Sequence, residues 1–511
     1  MKCEMNSNSY WILDELKKRK HDSQTAIIYR NSGISYAELW EKSENAAQWI
    51  LSRSTTNVPI IIYGHKEIEV IILMIAALKT GRAYVPLDIT YPVQRVEEIA
   101  QEIRAEFLFS FVEEEFSYND VEIVKMEGIR TLCDSACNTE VCDDLYVKDN
   151  DNCYILFTSG STGKPKGVQI TKKNIMNFVA WFSKQAHLAD ASKVVLNQVS
   201  YSFDVSVIPL YVYMPKGNQL FCIDKVMIEN LAELFHFLKK SNISVWVSTP
   251  TLMEICILDK SFDETLLPKL ELVILAGEVF TKDLAKSIKN RFEKATMING
   301  YGPTEGTVLL SSCKITDDIL KDDKPIPIGK ILDDGIYKIL DEAGNPVQTG
   351  GEGELVVISD NISKGYFNNT AQTERVFFNT ESGKRGYRTG DLVREENDLL
   401  YYVARKDTQI KLNGFRIELS DISNNLNKLE NVSNSVVLPV YKNGKILYLT
   451  GFVVLKEKHE GNSSKIGLSL KKKLRDLVPS YMVPRKIIIL EEFPMNINGK
   501  IDKKKLTEEY L

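Results

Sequence analysis

Tyr154–Val168 reads YILFTSGSTGKPKGV: an apolar run, YILF, passes into ten residues drawn almost wholly from Gly, Ser, Thr, Lys and Pro. The apolar run predicts a buried strand, and the small polar residues after it predict a loop at its end. A glycine-rich loop can wrap backbone N–H groups around phosphate oxygens. Thr158, Ser159, Ser161 and Thr162 would add hydroxyl donors, and Lys164 or Lys166 would add charge. The spacing is not that of a Walker A loop, because Gly160 and Gly163 are three apart and Lys164 is followed by Pro165 instead of Ser or Thr. By composition alone, a solvent-exposed linker stays open as the alternative.

Outward from this loop, apolar runs rich in β-branched residues alternate with helical patterns between residues 58 and 300: VPIIIY, an apolar helix from Ile68 to Leu78, VVLNQV near 195, VWVS near 246 and LELVILAG at 270–277. That alternation predicts layered α/β architecture. Beyond residue 325 short strands and turn signals predict a small β-rich subdomain, with AGNP lying between two alternating segments. From Lys406 onward, VSNSVVLPV, ILYLTGFVVL and KIIIL, with helical LSLKKKLRDLV among them, predict a compact α+β unit. The expected organisation is a large multi-layer N-terminal domain over 1–406, with its β-rich part near 325–405, and a small C-terminal domain over 407–511.

A chain of 511 residues exceeds the usual size of one core, and 44% hydrophobic with 26% charged residues is a globular balance. The net charge of -5 gives no general attraction to nucleic acid or anionic lipid. The charge is uneven: residues 406–511 hold 19 basic against 12 acidic side chains, leaving the first 405 residues with 45 against 57. A solvated basic face or a docking surface for an acidic partner would both account for this. No apolar run is long enough to span a bilayer, the start lacks a secretion signal pattern, and eight scattered cysteines lack paired metal-ligand spacing. The expected setting is the cytoplasm, with reduced thiols and no membrane insertion.

The segment TSGSTGKPKG is similar to the signature of the adenylate-forming ligases. The resemblance continues in order through LKTGRAYVPLD, YSFDVSV, NGYGPTE, GELVV, YRTGDLV, ARKDTQIKLNGFRIEL and NGKID, over nearly the whole chain. VSTP, LAGEV and SYMVPRK most resemble the D-alanine:D-alanyl carrier protein ligases and the adenylation domains of nonribosomal peptide synthetases. The resemblance implies that ATP activates a carboxylic acid as its adenylate, with loss of pyrophosphate, before a pantetheine thiol takes the acyl group. The cofactors implied are ATP and Mg2+. Lys500 matches the catalytic lysine, Thr304 a hydroxyl at the α-phosphate, and Glu305 the metal-holding carboxylate. The nucleotide would meet Thr158, Ser159, Gly160, Ser161, Thr162, Gly163 and Lys166 of the loop. Gly277, Glu278, Asn299, Tyr301, Gly302, Asp391 and Arg405 would complete its site, Tyr301 against adenine and Asp391 at the ribose.

Asp407 matches the hinge about which the small domain turns between the two half-reactions, which makes that domain mobile. Gly414 would let a pantetheine arm pass close to backbone. Two departures, Ala404 where the family has Gly and Lys503 in place of Arg, leave the chemistry intact. Asp204 matches the carboxylate that pairs with a substrate ammonium, so the acid should be an amino acid. Val205, Ile208, Ile274, Ala276, Gly300, Val308 and Leu309, with Ser248, match the side-chain pocket. Ala276 and Gly300 are smaller than the residues D-alanine ligases present there, which predicts a roomier pocket. Since no carrier-domain sequence follows Leu511, the acceptor should be a separate phosphopantetheinylated carrier protein. An acyl- or aryl-CoA ligase, or a nucleotide-binding regulator without chemistry, are the alternative readings; the first has no need of Asp204 and the second none of Lys500.

Overall fold

The structure is a computed structural model; it describes residues 11–118, 120–137, 139–160, 163–185, 193–442, 445–457, 462–496 and 501–511. The expected alternation is present as strand–helix–strand units. Ile60–Tyr63 lies parallel to Tyr84–Leu87, and the helix Ile68–Lys79 that joins them is buried from end to end. Its nearly unbroken apolar sequence is what a helix covered on all sides requires. These two strands, with Glu122–Lys125, Phe107–Ser110, Asn152–Thr158 and Lys166–Thr171, form a six-stranded sheet. The last two strands pair antiparallel, from Asn152 opposite Thr171 to Thr158 opposite Lys166.

A second sheet has nine strands. At its centre Val245–Ser248, Leu272–Ala276 and Thr296–Tyr301 run parallel, with Ile274 beside Ile298 and Ala276 beside Gly300. The pleat sends alternate residues to opposite faces. Val245, Val247, Leu272, Ile274, Ala276 and Ile298 join the main apolar core, whereas Trp246, Val273, Leu275 and Met297 join a second one. Residues 336–405 build a five-stranded antiparallel sheet, in which Ile336–Leu340 pairs with Glu352–Ile358 across the AGNP turn region.

The smaller C-terminal unit holds a three-stranded sheet (Val432–Lys442, Lys445–Leu455, Lys486–Leu490) and the helices Leu419–Asn427 and Ser463–Leu474 around its own apolar core. A two-stranded hairpin, Gln409–Leu412 with Phe415–Glu418, stands apart from that sheet. Asn413 and Gly414 make its two-residue turn, both at positive φ (52° and 83°), as a tight hairpin of right-twisted strands demands. Among the described residues, no helix is long and apolar enough to cross a membrane.

Candidate active site

The site lies at the carboxyl ends of the parallel strands Leu272–Ala276 and Thr296–Tyr301, where open α/β sheets place ligands. The phosphate-type loop, the edge of the antiparallel sheet and the C-terminal hairpin converge on it. Thr158 Oγ1 is buried without a hydrogen-bond partner among the described residues, so a donor or acceptor is free for a ligand at the loop mouth. Ser159 Oγ donates to the Arg416 carbonyl at 3.0 Å and accepts from the Glu418 N–H at 2.9 Å. A Cβ on Gly160 would lie 2.1 Å from the Lys164 carbonyl oxygen, so only glycine fits there. Gly163 follows at positive φ. Ser161 and Thr162, and with them Lys500, lie outside the described residues.

Glu305 is fully buried and has three partners. Tyr366 donates its hydroxyl at 2.7 Å, the Arg416 guanidinium lies 2.5 Å away, and the Lys166 ammonium 3.8 Å away. Burial alone would raise the Glu305 carboxyl, but Arg416 first and then Lys166 outweigh it and hold it well below the usual carboxylate range. Burial, helped by Arg416, lowers the Lys166 ammonium to about 8. With its oxygens so engaged, Glu305 does not fit a divalent cation in this arrangement. No group of three or more His, Cys, Asp or Glu able to hold a metal occurs among the described residues.

On the nucleoside side, the Asp391 carboxylate accepts from the Tyr301 hydroxyl at 2.5 Å and from Arg405 Nη1 at 3.0 Å. Asp391 and Arg405 are directly opposed across their strands, which explains the close pairing. Arg405 also forks onto Asp407. Asn299 is buried and donates to the Pro327 carbonyl at 2.9 Å. A Cβ on Gly302 would lie 2.5 Å from the Val308 carbonyl oxygen, so the Gly302 backbone packs directly on the segment that carries the pocket residues. Gly277 has φ of 91° with Phe203 packed where its Cβ would be. Glu278 accepts from Thr251 and, at 2.6 Å, from the Gly414 N–H. Gly414 itself rests on Thr249, where a Cβ would come within 2.6 Å of a methyl carbon.

Asp204 opens a short turn that leads into a π-helical stretch, Ile208–Tyr213, a distortion common at functional sites. It is 3% exposed, and among the described residues no basic side chain reaches ion-pair distance of it. Burial pushes its carboxyl up to about 6, although the Thr304 hydroxyl and Lys411 pull the other way. Val205, Ile208, Ile274, Ala276, Val308 and Leu309 are all buried in one apolar cluster. Leu309 covers Gly300: both its Cδ atoms lie 2.9 Å from where a Cβ would stand, and Ala276 Cβ lies 3.3 Å from it. The expected extra room above Gly300 is therefore filled by Leu309. Ser248 also departs from expectation. It lies on the Trp246 side of its strand, accepts from Trp246 Nε1 at 2.8 Å, and so turns away from the face that Ile274 and Ala276 share.

Arg416 and Tyr366 are site residues that the sequence alone does not single out. Their signal is faint: a basic residue beside the turn of a short hairpin, and a Tyr in the segment SKGYF. Thr307 is equally silent in sequence, yet it and its neighbour Val308, both β-branched, are held at φ of 57° and 69°. Such backbone is costly for branched side chains and persists only where the surroundings impose it. Here the Thr307 hydroxyl donates to the Asn361 carbonyl and the turn sets Leu309 over Gly300.

Residues 15–367 match the family model described as AMP-binding enzyme, and residues 421–500 the model for the AMP-binding enzyme C-terminal domain. A "D-alanine--D-alanyl carrier protein ligase" from Bacillus licheniformis is 37% identical over 501 residues, covering 98% of this chain and 99% of that one. Among solved structures, holo-PA1221, a nonribosomal peptide synthetase protein with adenylation and carrier domains, superposes with a TM-score of 0.79 at 21% identity, over 97% of this chain and 84% of that one. The Vibrio cholerae adenylation domain AlmE, in complex with glycyl-adenosine-5'-phosphate, gives 0.78 at 20% identity over 98% and 96%.

Proposed function

The chain belongs to the AMP-binding enzyme family, and from that premise we propose that it activates a small, uncharged α-amino acid of the D-alanine class with ATP and transfers it to the thiol of a separate phosphopantetheinylated carrier protein. In the first step a carboxylate oxygen attacks the α-phosphorus and pyrophosphate leaves. In the second, the pantetheine sulfur attacks the acyl carbon and AMP leaves. Two anions meet in the first step, so positive charge must converge on the α-phosphate. Lys166 and the proposed catalytic Lys500 would supply it, with Thr304 beside them. Tyr301, Asp391 and Arg405 would hold the nucleoside, and the loop from Thr158 to Lys166 the phosphates.

The single observation that carries the amino-acid reading is Asp204. A carboxylate this buried is unfavourable unless a cation neutralises it; Lys411 acts on it without reaching ion-pair distance, and a substrate ammonium would complete the pairing. Leu309 over Gly300 favours a small side chain. We further propose that residues 407–511 turn about Asp407 between the steps, bringing Gly414 beside Glu278 and Thr249 for the transfer. The seven cysteines among the described residues are free thiols, which suits a cytoplasmic setting.

ATP–pyrophosphate exchange measured across glycine, both alanine enantiomers, larger apolar amino acids and their desamino acids tests this reading. Exchange best with alanine-sized amino acids is expected. Equal exchange with propionate and alanine would point instead to an acyl-CoA ligase.

A further inference from the structure

The hairpin that reaches the site is an unusual piece of β-structure. Lys411 and Arg416 are direct cross-strand partners, on one face, and like charges so placed repel. The acidic residues of the larger unit relieve that repulsion: Arg416 sits on Glu305, and Lys411, whose ammonium burial lowers, is held up by Asp391 and Asp204. The hairpin's apolar residues do not anchor it to the larger unit. Leu412 and Ile417 pack into the C-terminal core, and Phe415 stacks on Tyr481 at 3.8 Å. Its hydrogen bonds across to the larger unit join Ser159 with Arg416 and Glu418, Glu278 with Gly414, Arg405 with Gln409, and Glu305 with Arg416. The Glu305–Arg416 pair is the buried ion pair within these ties, beside the Arg95–Asp421 pair at the next helix, so it has a share in deciding whether the hairpin stays.

Glu305 is also the residue expected to carry a divalent cation, and it does not fit one while Arg416 is seated. We propose that Arg416 is a detachable internal counter-ion of Glu305: guanidinium and divalent metal exclude one another there, so the hairpin docks only on a site that has lost its metal and pyrophosphate. Two positive groups on one buried carboxylate, with Lys166 already beside it, repel at short range in a medium of low dielectric. Arg416 is thus a positioning residue, which makes seating of the hairpin report that the first half-reaction has been cleared. This rests on the two-step reading above.

Hydrogen–deuterium exchange on the full chain tests it. Magnesium chloride with inorganic pyrophosphate should protect peptides covering 152–160 and, at the same concentrations, speed exchange of peptides covering 409–418 at least fivefold. Pyrophosphate with EDTA should leave the hairpin slow. In Arg416→Met the hairpin should exchange fast with no additive, whereas Arg416→Lys should restore part of the protection; unchanged exchange over Leu272–Ala276 checks that each variant is folded. Protection at 152–160 with an unchanged hairpin, or a hairpin as slow in Arg416→Met as in wild type, would overturn the counter-ion role alone. No protection at 152–160 under any condition would overturn both it and the nucleotide reading beneath it.

Discussion

The two sides of the site are built in opposite ways. The wall of the larger unit is packed: Ile274, Ala276, Gly300 and Leu309 interlock in an apolar core, and Thr307 and Val308 hold costly backbone to keep them so. The facing hairpin is held by charges and hydrogen bonds, and its apolar residues belong to another core. Close packing selects one geometry and resists change. Polar docking exchanges readily with water and ligands, since its net worth is small. Selection of the acid should therefore reside in the wall, and progress from one step to the next in the hairpin. Substitutions on either side can break that division of labour.

The largest effect should come from Asp204. Asp204→Ala leaves a substrate ammonium without its buried partner, a loss of about 2–5 kcal/mol, and exchange with alanine should fall by roughly 30-fold to several thousand-fold. The same residue sets a pH response. Its carboxyl, raised to about 6 by burial, must be ionised to bind an ammonium, so kcat/KM for the amino acid should fall as pH drops through about 6 and stay flat above 7. A profile flat down to pH 5 would show that Asp204 is not the ammonium's partner.

Leu309→Ala should come next. It removes a buried side chain at a cost of about 2–5 kcal/mol in unfolding free energy, read by urea denaturation. It also reopens the space over Gly300, so the preference among amino acids should shift toward longer side chains by roughly 10–200-fold in the exchange assay. Destabilisation without any shift in preference would mean that Leu309 serves the core alone.

How far the sequence can be read obeys the same divide. The strand and loop of YILFTSGSTGKPKGV and the buried helix Ile68–Lys79 are legible because periodicity and composition carry them, whereas Glu305, Asp391 and Asp204 stand out only through the family resemblance. The rest depends on how the chain folds back on itself. Gly300 reads as vacant space until Leu309 folds over it. Glu305 reads as an unpaired carboxylate until Arg416, 111 positions later, is found on it. Ser248 reads onto the wrong face because nothing local reports the register of a four-residue strand, which its neighbour Trp246 settles only in three dimensions.

The smallest effect should lie at the edge of the hairpin unit. Lys445, the first residue of the strand Lys445–Leu455, pairs with Glu254 of the larger unit across a partly exposed contact. Lys445→Ala should cost at most about 1 kcal/mol. It should slow transfer to the carrier less than about fivefold while pyrophosphate exchange is unmoved, and added salt should erase the difference. An equal loss in both steps would place Lys445 outside the docked arrangement.

The mass of the acceptor tests both half-reactions at once. A phosphopantetheinylated D-alanyl carrier protein incubated with the full chain, ATP, magnesium and D-alanine should gain one alanyl group on its thiol, and hydroxylamine should release it. A carrier whose mass stays unchanged while free coenzyme A becomes acylated under the same conditions would contradict the proposed transfer.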